Sequence, residues 1–365
     1  MTQTSRERVK RCLTFCVPDR VPREMWLVPW AQDRYPQEIA HIQRRYPSDF
    51  DDAPIVYRPS PRRRGDIFAP GTSTDEWGCR FTNIHGGVEG EVREPILPDV
   101  REWRDVRPPY EILPQHLSAT RDLVNRHCAR TNGYVRAQCL VNPWERYQAL
   151  RGPQNAFMDI IDWDADRQAL LDRIHDYFMA ELEFWVSTEV DAVRLQDDWG
   201  SQKQLLVPPH HWRELFKPLY AEYCQLSHDR GKAVFFHSDG NILEIYGDFV
   251  EIGVDALNSQ LFCMDLDELA RLAKGRITFW GEIDRQHVLT AADPAAGREA
   301  VRQVVRHLYD TSGGTIAQFE LGPGANPTVA EAIFEEWESV GRLELPTQGW
   351  IKDELTPQEV DRGDG

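Results

Sequence analysis

Short apolar segments alternate with amphipathic stretches of helical length over most of the chain. Segment 232–237 shows the strand type most clearly, because it is apolar on both faces and ends abruptly in polar residues. Strands buried on both faces are typical of parallel sheets, in which helices connect the strands. Seven segments are predicted as strands, with an eighth, less regular one near 48–56: 24–28, 133–138, 191–196, 232–237, 254–258, 277–281 and 314–319. Helices are predicted at 4–16, 115–130, 165–188, 211–230, 241–251, 266–273, 293–309 and 326–340.

About eight strand–helix units is the number that a closed barrel requires. We therefore predict an α/β fold, a (β/α)8 TIM barrel, formed by one domain over residues 1–342. Within it, residues 35–110 have a weak pattern rich in proline and arginine, and we interpret them as a capping insertion. Two short strands at 75–84 and 87–92, around His85, predict a β-hairpin that covers a pocket. Residues 343–365 are predicted to form a loose C-terminal tail.

Polar residues follow the predicted strands, and in a barrel the carboxyl ends of all strands meet at one rim. One histidine among several carboxylates is suited to binding a divalent metal, or to general acid–base chemistry without a metal. The candidate residues are Gln138, Gln196, Asp197, Asp198, Trp199, His237, Ser238, Asp239, Asn258, Gln260, Trp280, Glu282, Gln318 and Glu320.

Each of these residues also has a structural interpretation. Asp239, just before Gly240, is a suitable helix N-cap, and His237 at an apolar strand end is compatible with a core histidine. The run at 197–200 is compatible with a solvated turn. His85 is flanked by glycines, which allow a loop to approach a ligand closely.

The formal net charge of −17 argues against nucleic acid and anionic membranes as partners, since both need a basic surface. A cationic or neutral small-molecule substrate is easier to reconcile with this charge. Seven cysteines without a CxxC pair indicate cytosolic thiols, and no apolar run is long enough to span a bilayer. We expect a cytoplasmic protein. Twelve tryptophans, several of them beside candidate residues, predict an aromatic-walled pocket.

Four stretches resemble the uroporphyrinogen decarboxylase superfamily: 196–200 (QDDWG), 212–220 (WRELFKPLY), 237–241 (HSDGN) and 251–258 (EIGVDALN). They are most similar to its branch of zinc-dependent, corrinoid-linked methyltransferases. The resemblance runs from about residue 5 to 342 and is strongest from 190 to 320. It implies a (β/α)8 barrel with the active site at the carboxyl ends of the strands.

The resemblance also implies a metal site with altered ligands. Methyltransferases of this branch bind zinc through a His-x-Cys pair and a further cysteine in the last strand, and here Asp239 and Phe319 occupy those cysteine positions. The metal, expected to be zinc, would then be held by His237, Asp239 and Glu282, with Glu320 or Gln318. Oxygen ligands are harder than thiolates and weaken the preference for zinc over other divalent ions.

Porphyrin decarboxylation is not expected. The decarboxylases hold the carboxylates of their substrate with an arginine-rich segment after the first strand, whereas residues 26–32 here read WLVPWAQ. Arginine is the side chain suited to bidentate carboxylate binding.

The first hypothesis is a methyltransferase that moves a methyl group from a small methoxylated or N-methylated substrate to a corrinoid. The chain lacks the Asp-x-His-x-x-Gly loop of corrinoid proteins, so the corrinoid would be carried by a partner protein. A methylammonium group would gain cation–π attraction from the pocket tryptophans. The expected substrate contacts are Trp26, Trp30, His85, Gln196, Trp199, Asn258, Gln260 and Trp280, and the expected catalytic residues are Asp197, Asp198 and Glu282.

Two alternatives stay open. One is a metal-assisted lyase, hydrolase or decarboxylase acting on a small substrate without corrinoid, with Asp198 or Glu282 as the base. The other is a non-catalytic binding relative that kept the barrel and lost the metal, which the absence of both cysteines would favour. A homo-oligomer is compatible with all three hypotheses.

Overall fold

The computed structural model describes residues 2–88 and 90–340, so the predicted tail at 343–365 lies outside the described residues. The strands are β1 (Arg23–Leu27), β2 (Phe50–Asp52), β3 (Gly71–Thr74), β4 (Arg80–Asn83), β5 (Glu91–Glu94), β6 (Tyr134–Gln138), β7 (Ala192–Gln196), β8 (Ala233–Ser238), β9 (Ala256–Ser259), β10 (Thr278–Trp280) and β11 (Thr315–Leu321). The helices are α1 (Ser5–Leu13), α2 (Pro29–Arg34), α3 (Pro36–Arg45), α4 (Leu117–Cys128), α5 (Pro143–Arg151), α6 (Pro153–Ile161), α7 (Ala165–Val186), α8 (Pro209–Leu215), α9 (Lys217–Asp229), α10 (Leu243–Glu251), α11 (Leu266–Ala273), α12 (Ala295–His307) and α13 (Pro327–Val340).

Eight strands form one parallel sheet in the order β1-β11-β10-β9-β8-β7-β6-β2. The two outer strands of this order meet at their amino ends, where Asp49 N donates to Arg23 O at 3.1 Å. Arg23 N donates in turn to Asp49 Oδ2 at 2.9 Å. The sheet is thus curled into a nearly closed barrel with helices around it. The predicted (β/α)8 TIM barrel is confirmed.

The alternation of side chains along each strand divides the protein into two cores. Inside the barrel, an apolar layer that includes Tyr134, Phe235 and Ile316 packs against Val9 and Cys12 of α1, which closes the amino-terminal end. The outward-facing side chains of the strands pack against the surrounding helices in the larger core. Toward the carboxyl ends of the strands, the inward-facing positions become polar. The site therefore lies above a packed floor.

Phe319 belongs to the outer core rather than to the barrel interior. It is fully buried, and its ring lies 4.8 Å from that of Phe334 on α13. Its neighbours Gln318 and Glu320 therefore face the interior. A ligand expected at position 319 would point away from the site, so the phenylalanine there has no bearing on metal binding.

The cap consists of a three-stranded antiparallel sheet, β3–β4–β5, rather than two strands alone. The predicted strand at 75–84 begins only at Arg80, because Asp75 Oδ1 accepts from the backbone N–H groups of Trp77 and Cys79. This turn, completed by Gly78 at φ +94°, leads β3 back alongside β4. The hairpin of β4 and β5 is present, as predicted.

Several helices differ from the sequence prediction. The helix expected at 211–230 is divided into α8 and α9 at Phe216, two residues before Pro218. Helices α2, α3, α5 and α6 were not predicted, since each begins with a proline in a segment without clear periodicity. Over residues 2–88 and 90–340, every helix is too short or too polar to cross a lipid bilayer.

Candidate functional site

Two loops at the carboxyl ends of β7 and β8 pack backbone against backbone. Gly200 N donates to Asp239 O at 3.0 Å, and a Cβ on Gly240 would lie 2.2 Å from the carbonyl carbon of Gly200. Gly240 also has φ +79°, a conformation that favours glycine. The close approach carries Asp198, on the first loop, next to Asp239, on the second.

Asp198, His237 and Asp239 form a trio of potential metal ligands, with ligand atoms all within 4.8 Å of one another. His237 Nε2 lies 3.6 Å from Asp198 Oδ1 and 3.6 Å from Asp239 Oδ1. Asp198 is held in place because its Oδ1 also accepts from Asp239 N at 2.9 Å. The two carboxylates therefore converge on one ring nitrogen.

The orientation of His237 is set by Asn258 on the neighbouring strand β9. The Nδ2 amide of Asn258 donates to Trp280 O and to Gln318 Oε1, which leaves Oδ1 as the acceptor facing the histidine. That Oδ1 lies 2.6 Å from His237 Nδ1, so Nδ1 carries the hydrogen. Nε2 then has the free lone pair, directed toward the two carboxylates. Metal-binding histidines usually have this kind of support on their second nitrogen.

The residues present fit a divalent cation. Imidazole nitrogen and carboxylate oxygen both ligate zinc, and two ligands of a tetrahedral zinc ion lie about 3.4 Å apart, close to the spacing here. Asp239 Oδ1 is buried and has no hydrogen-bond partner among the described residues. A buried carboxylate oxygen without a donor is costly, and a cation would satisfy it.

Glu282 and Glu320, predicted as metal ligands, surround Arg285 instead of joining the trio. Arg285 Nη1 lies 3.2 Å from Glu320 Oε1 and 3.6 Å from Glu282 Oε1, and its Nη2 contacts Asp239 Oδ2. The guanidinium thus links the outer carboxylates to the trio. Burial raises the pKa of Glu282 well above its usual value, and Arg285 opposes that rise. Arg285 was not predicted as a site residue, because its long side chain reaches the site from the loop after β10.

Asp197 lies beside the trio in sequence but faces the other way. Its carboxylate accepts from the backbone N–H groups of Trp144 and Glu145, at the first turn of α5, and from Tyr220 Oη at 2.7 Å. Burial raises the pKa of Asp197 to about 8, while these three donors lower it. The contacts favour a role in anchoring α5 to the barrel over the predicted catalytic role.

Trp199 was predicted to line the substrate pocket, and the structure corrects this. Its side chain is 0% exposed and lies in the outer core, stacked on Trp144 with ring centres 5.3 Å apart. Its indole N–H donates to Tyr220 Oη at 3.0 Å. No face of the ring is left for a substrate.

Trp26 and Trp280, by contrast, face the barrel interior. Their ring centres are 5.1 Å apart, and Trp26 lies 5.4 Å from the His237 ring. Trp280 is fully buried and forms part of the floor, with its indole N–H donating to Glu24. Trp26 lies between this floor and the trio, where it is the tryptophan placed to meet a substrate.

A cavity of about 410 Å³ extends from the barrel rim to the cap. It is lined by Gln196, which is next to His237 in the strand register, by Phe81 and Val92 of the hairpin, and by Glu145 and Arg146 of α5. This volume suits a small molecule. The hairpin therefore covers a pocket, as the sequence predicted.

The other predicted substrate contacts are dispersed. Asn258 is fully buried and supports His237, and Gln260 lies beside Arg285 in a small recess, where it accepts from Gln202 at 2.9 Å. His85 is exposed on the hairpin. Trp30 packs under the same hairpin, where a Cβ on Gly87 would lie 3.1 Å from its backbone nitrogen. His85 thus belongs to the cap, and Trp30, on α2, packs against the cap.

Two further arginines in the barrel interior were missed. Arg136 on β6 and Arg194 on β7 face inward. The alternation of side chains along a strand could have predicted this. Arg194 is two residues before Gln196 and Arg136 is two before Gln138, and both glutamines were already assigned to the rim.

Comparison with known proteins gives one family match. A family model described as uroporphyrinogen decarboxylase (URO-D) matches residues 73–340. A methyltransferase from Methanosarcina mazei superposes with a TM-score of 0.68 at 12% identity, covering 93% of this chain and 99% of that chain. At this identity the likeness shows the fold. An endo-β-1,4-xylanase from Gloeophyllum trabeum gives a TM-score of only 0.37 at 12% identity, over 60% of this chain and 80% of that chain. No curated protein matches the chain in sequence.

Proposed function

The chain belongs to the uroporphyrinogen decarboxylase family, and we propose that within this family it is a metal-dependent methyltransferase. It would take a methyl group from a small methoxylated or N-methylated substrate and pass it to a corrinoid carried by another protein. The observation that carries the proposal is the trio of Asp198, His237 and Asp239 at the barrel rim, where Gln196, the neighbour of His237 in the strand register, lines the capped cavity.

Asp198, His237 and Asp239 would hold the metal, with zinc as the first candidate. A divalent ion bound there supplies Lewis-acid polarisation of the ether oxygen or amine nitrogen that loses the methyl group. Asn258 keeps the His237 Nε2 lone pair directed at the site, and Arg285 holds one oxygen of Asp239 so that the other stays available.

Glu282 is the candidate for the proton that the demethylated oxygen needs. It is 2% exposed, and burial raises the pKa of its carboxyl well above the usual value, which favours the protonated form. Its Oε1 has no hydrogen-bond partner among the described residues. Trp26, beside the His237 ring, would shield the transferring methyl group from water.

The first measurement is metal content of the purified protein, followed by methyl transfer from methoxylated aromatic compounds to added Co(I) cobalamin. We expect about one divalent ion per chain and formation of methylcobalamin. His237→Ala should abolish both, and the surface variant His287→Ala should change neither, since His287 is exposed and pairs only locally with Asp284.

Other outcomes separate the alternatives. Absence of stoichiometric metal, even after reconstitution, would overturn the proposal and favour a non-catalytic relative. Bound metal without methyl transfer, but with turnover that His237→Ala abolishes, would favour a metal-assisted lyase, hydrolase or decarboxylase. Unchanged methyl transfer in His237→Ala would refute the assignment of the site.

A further inference from the structure

Arg194 is a cation that faces the barrel interior and contacts neutral side chains. Its guanidinium lies over the ring of Trp26, 4.2 Å from the ring centre, and its Nη1 donates to Gln138 Oε1 at 2.9 Å. Among the residues that the structure describes, no carboxylate forms an ion pair with it. Burial and the nearby Arg136 lower the pKa of Arg194 to about 10, so the side chain is still charged at neutral pH.

The carboxylates nearest to Arg194 are engaged elsewhere. Both oxygens of Glu24 bind Arg136, and one of them also accepts from Trp280 Nε1. Asp52 accepts from Gln138 Nε2 at 2.6 Å. Glu320 pairs with Arg285, as described above. Asp52 orients the amide of Gln138 so that the amide oxygen accepts from Arg194. This hydrogen bond holds the guanidinium in place but leaves its positive charge unpaired.

Unused hydrogen-bond donors accompany this cation. Trp26 Nε1 and Gln318 Nε2 are both buried and lack a partner among the described residues. Both residues lie on the inner faces of adjacent strands, β1 and β11. A buried donor without an acceptor costs free energy, so an acceptor bound between these strands would lower that cost.

Arg194 also occupies the position that a methylammonium group would need. The expected cation–π contact with Trp26 is already made by the guanidinium, and a second cation there would be repelled. The Trp26 ring contacts both Arg194, at 4.2 Å, and the His237 ring, at 5.4 Å between ring centres. A ligand held at Arg194 would therefore extend along Trp26 toward the trio.

We propose that Arg194 binds the carboxylate of a small anionic substrate inside the barrel, so that the group to be demethylated is a methoxy group at the opposite end of the molecule. The planar guanidinium suits a carboxylate, which can accept two parallel hydrogen bonds. The placement of the methoxy group rests on the proposed function, whereas the binding of the carboxylate does not.

The test is isothermal titration calorimetry with 3-methoxybenzoate, its neutral counterpart 3-methoxybenzamide, and 3-methoxyphenyltrimethylammonium. We expect the carboxylate to bind about 10- to 100-fold more tightly than the amide, the range of a charge-assisted hydrogen-bonded pair, and the ammonium compound to bind weakest. Arg194→Gln should remove the advantage of the carboxylate, and Arg194→Lys should keep part of it. Arg306→Gln, on the surface of α12, is the matched control and should bind as the wild type does.

His237→Ala distinguishes this site from the metal. If the carboxylate binds Arg194, its affinity should survive in His237→Ala and in chelator-treated protein. Loss of binding in His237→Ala with retention in Arg194→Gln would overturn the proposal, as would equal affinity for the carboxylate and the amide. Methyl transfer from the amide alone would leave the proposed function standing and refute the carboxylate site. The corresponding sulfonate, 3-methoxybenzenesulfonate, is titrated in parallel. If it binds more tightly than 3-methoxybenzoate, the assignment of a carboxylate is overturned.

Discussion

The two interior arginines should respond oppositely to the same substitution. Arg136 is 1% exposed and forms a two-point ion pair with Glu24, which is 9% exposed. Arg136→Met leaves that carboxylate buried and uncompensated, and removing one partner of such a pair costs about 3–5 kcal/mol. The unfolding entropy of a chain of this length is about 0.7 kcal/mol per kelvin, so the melting temperature should fall by about 4–7 °C.

Arg194→Met removes a partly buried cation that has no ion-pair partner among the described residues. The variant loses the contact with Trp26, about 1–2 kcal/mol, and the hydrogen bond to Gln138, about 1 kcal/mol. It also removes the desolvation cost of the unpaired guanidinium, several kcal/mol. The melting temperature should therefore stay the same or rise.

The assay is differential scanning calorimetry of both variants, metal-free, at one scan rate and one pH. Glu24→Gln combined with Arg136→Met should recover much of the loss, because no unpaired charge is left and the acceptor for Trp280 Nε1 is kept. A loss in Arg194→Met as large as that in Arg136→Met would refute the view that Arg194 is held for a ligand rather than for stability.

Three further predictions concern the site and its surroundings. Gly240→Ala should force the two loops apart and abolish stoichiometric metal binding, measured by elemental analysis, whereas Gly247→Ala, whose added Cβ meets nothing within 4 Å, should bind metal normally. Asn258→Ala should weaken zinc binding about 10- to 100-fold in a competition titration, because the His237 ring loses its support, and unchanged affinity would contradict the role given to the amide. Burial raises the pKa of Glu181 to about 7, so the native state binds more protons than the unfolded state between about pH 4.5 and 7, and stability falls as the pH rises through this range. Glu181→Gln should remove that loss: we expect melting temperatures equal to wild type at pH 5 and higher than wild type at pH 8, and the reverse order would show that the carboxylate is charged in the native state.

The fold was largely predictable because it depends on local patterns. Strands apolar on both faces, separated by helices, require a parallel sheet with two covered faces, and about eight of them close a barrel. Helices that begin with proline in irregular segments, such as α5 and α6, were missed because their burial comes from contacts with distant parts of the chain. The cap strand β3 was missed for the same reason, since its partner strand β4 determines its conformation.

For the site, the sequence by itself determined which residues stand at the carboxyl ends of the strands, and so it correctly brought His237, Asp198 and Asp239 to one rim. It could not determine which way each side chain faces. Trp199 turns into the outer core because a loop, unlike a strand, has no fixed alternation. Arg285 pairs with Glu282 and Glu320, and its long side chain can reach them only after the loops are folded. Pairings among charged groups depend on distances of a few ångströms between segments far apart in sequence, and only the tertiary structure sets those distances.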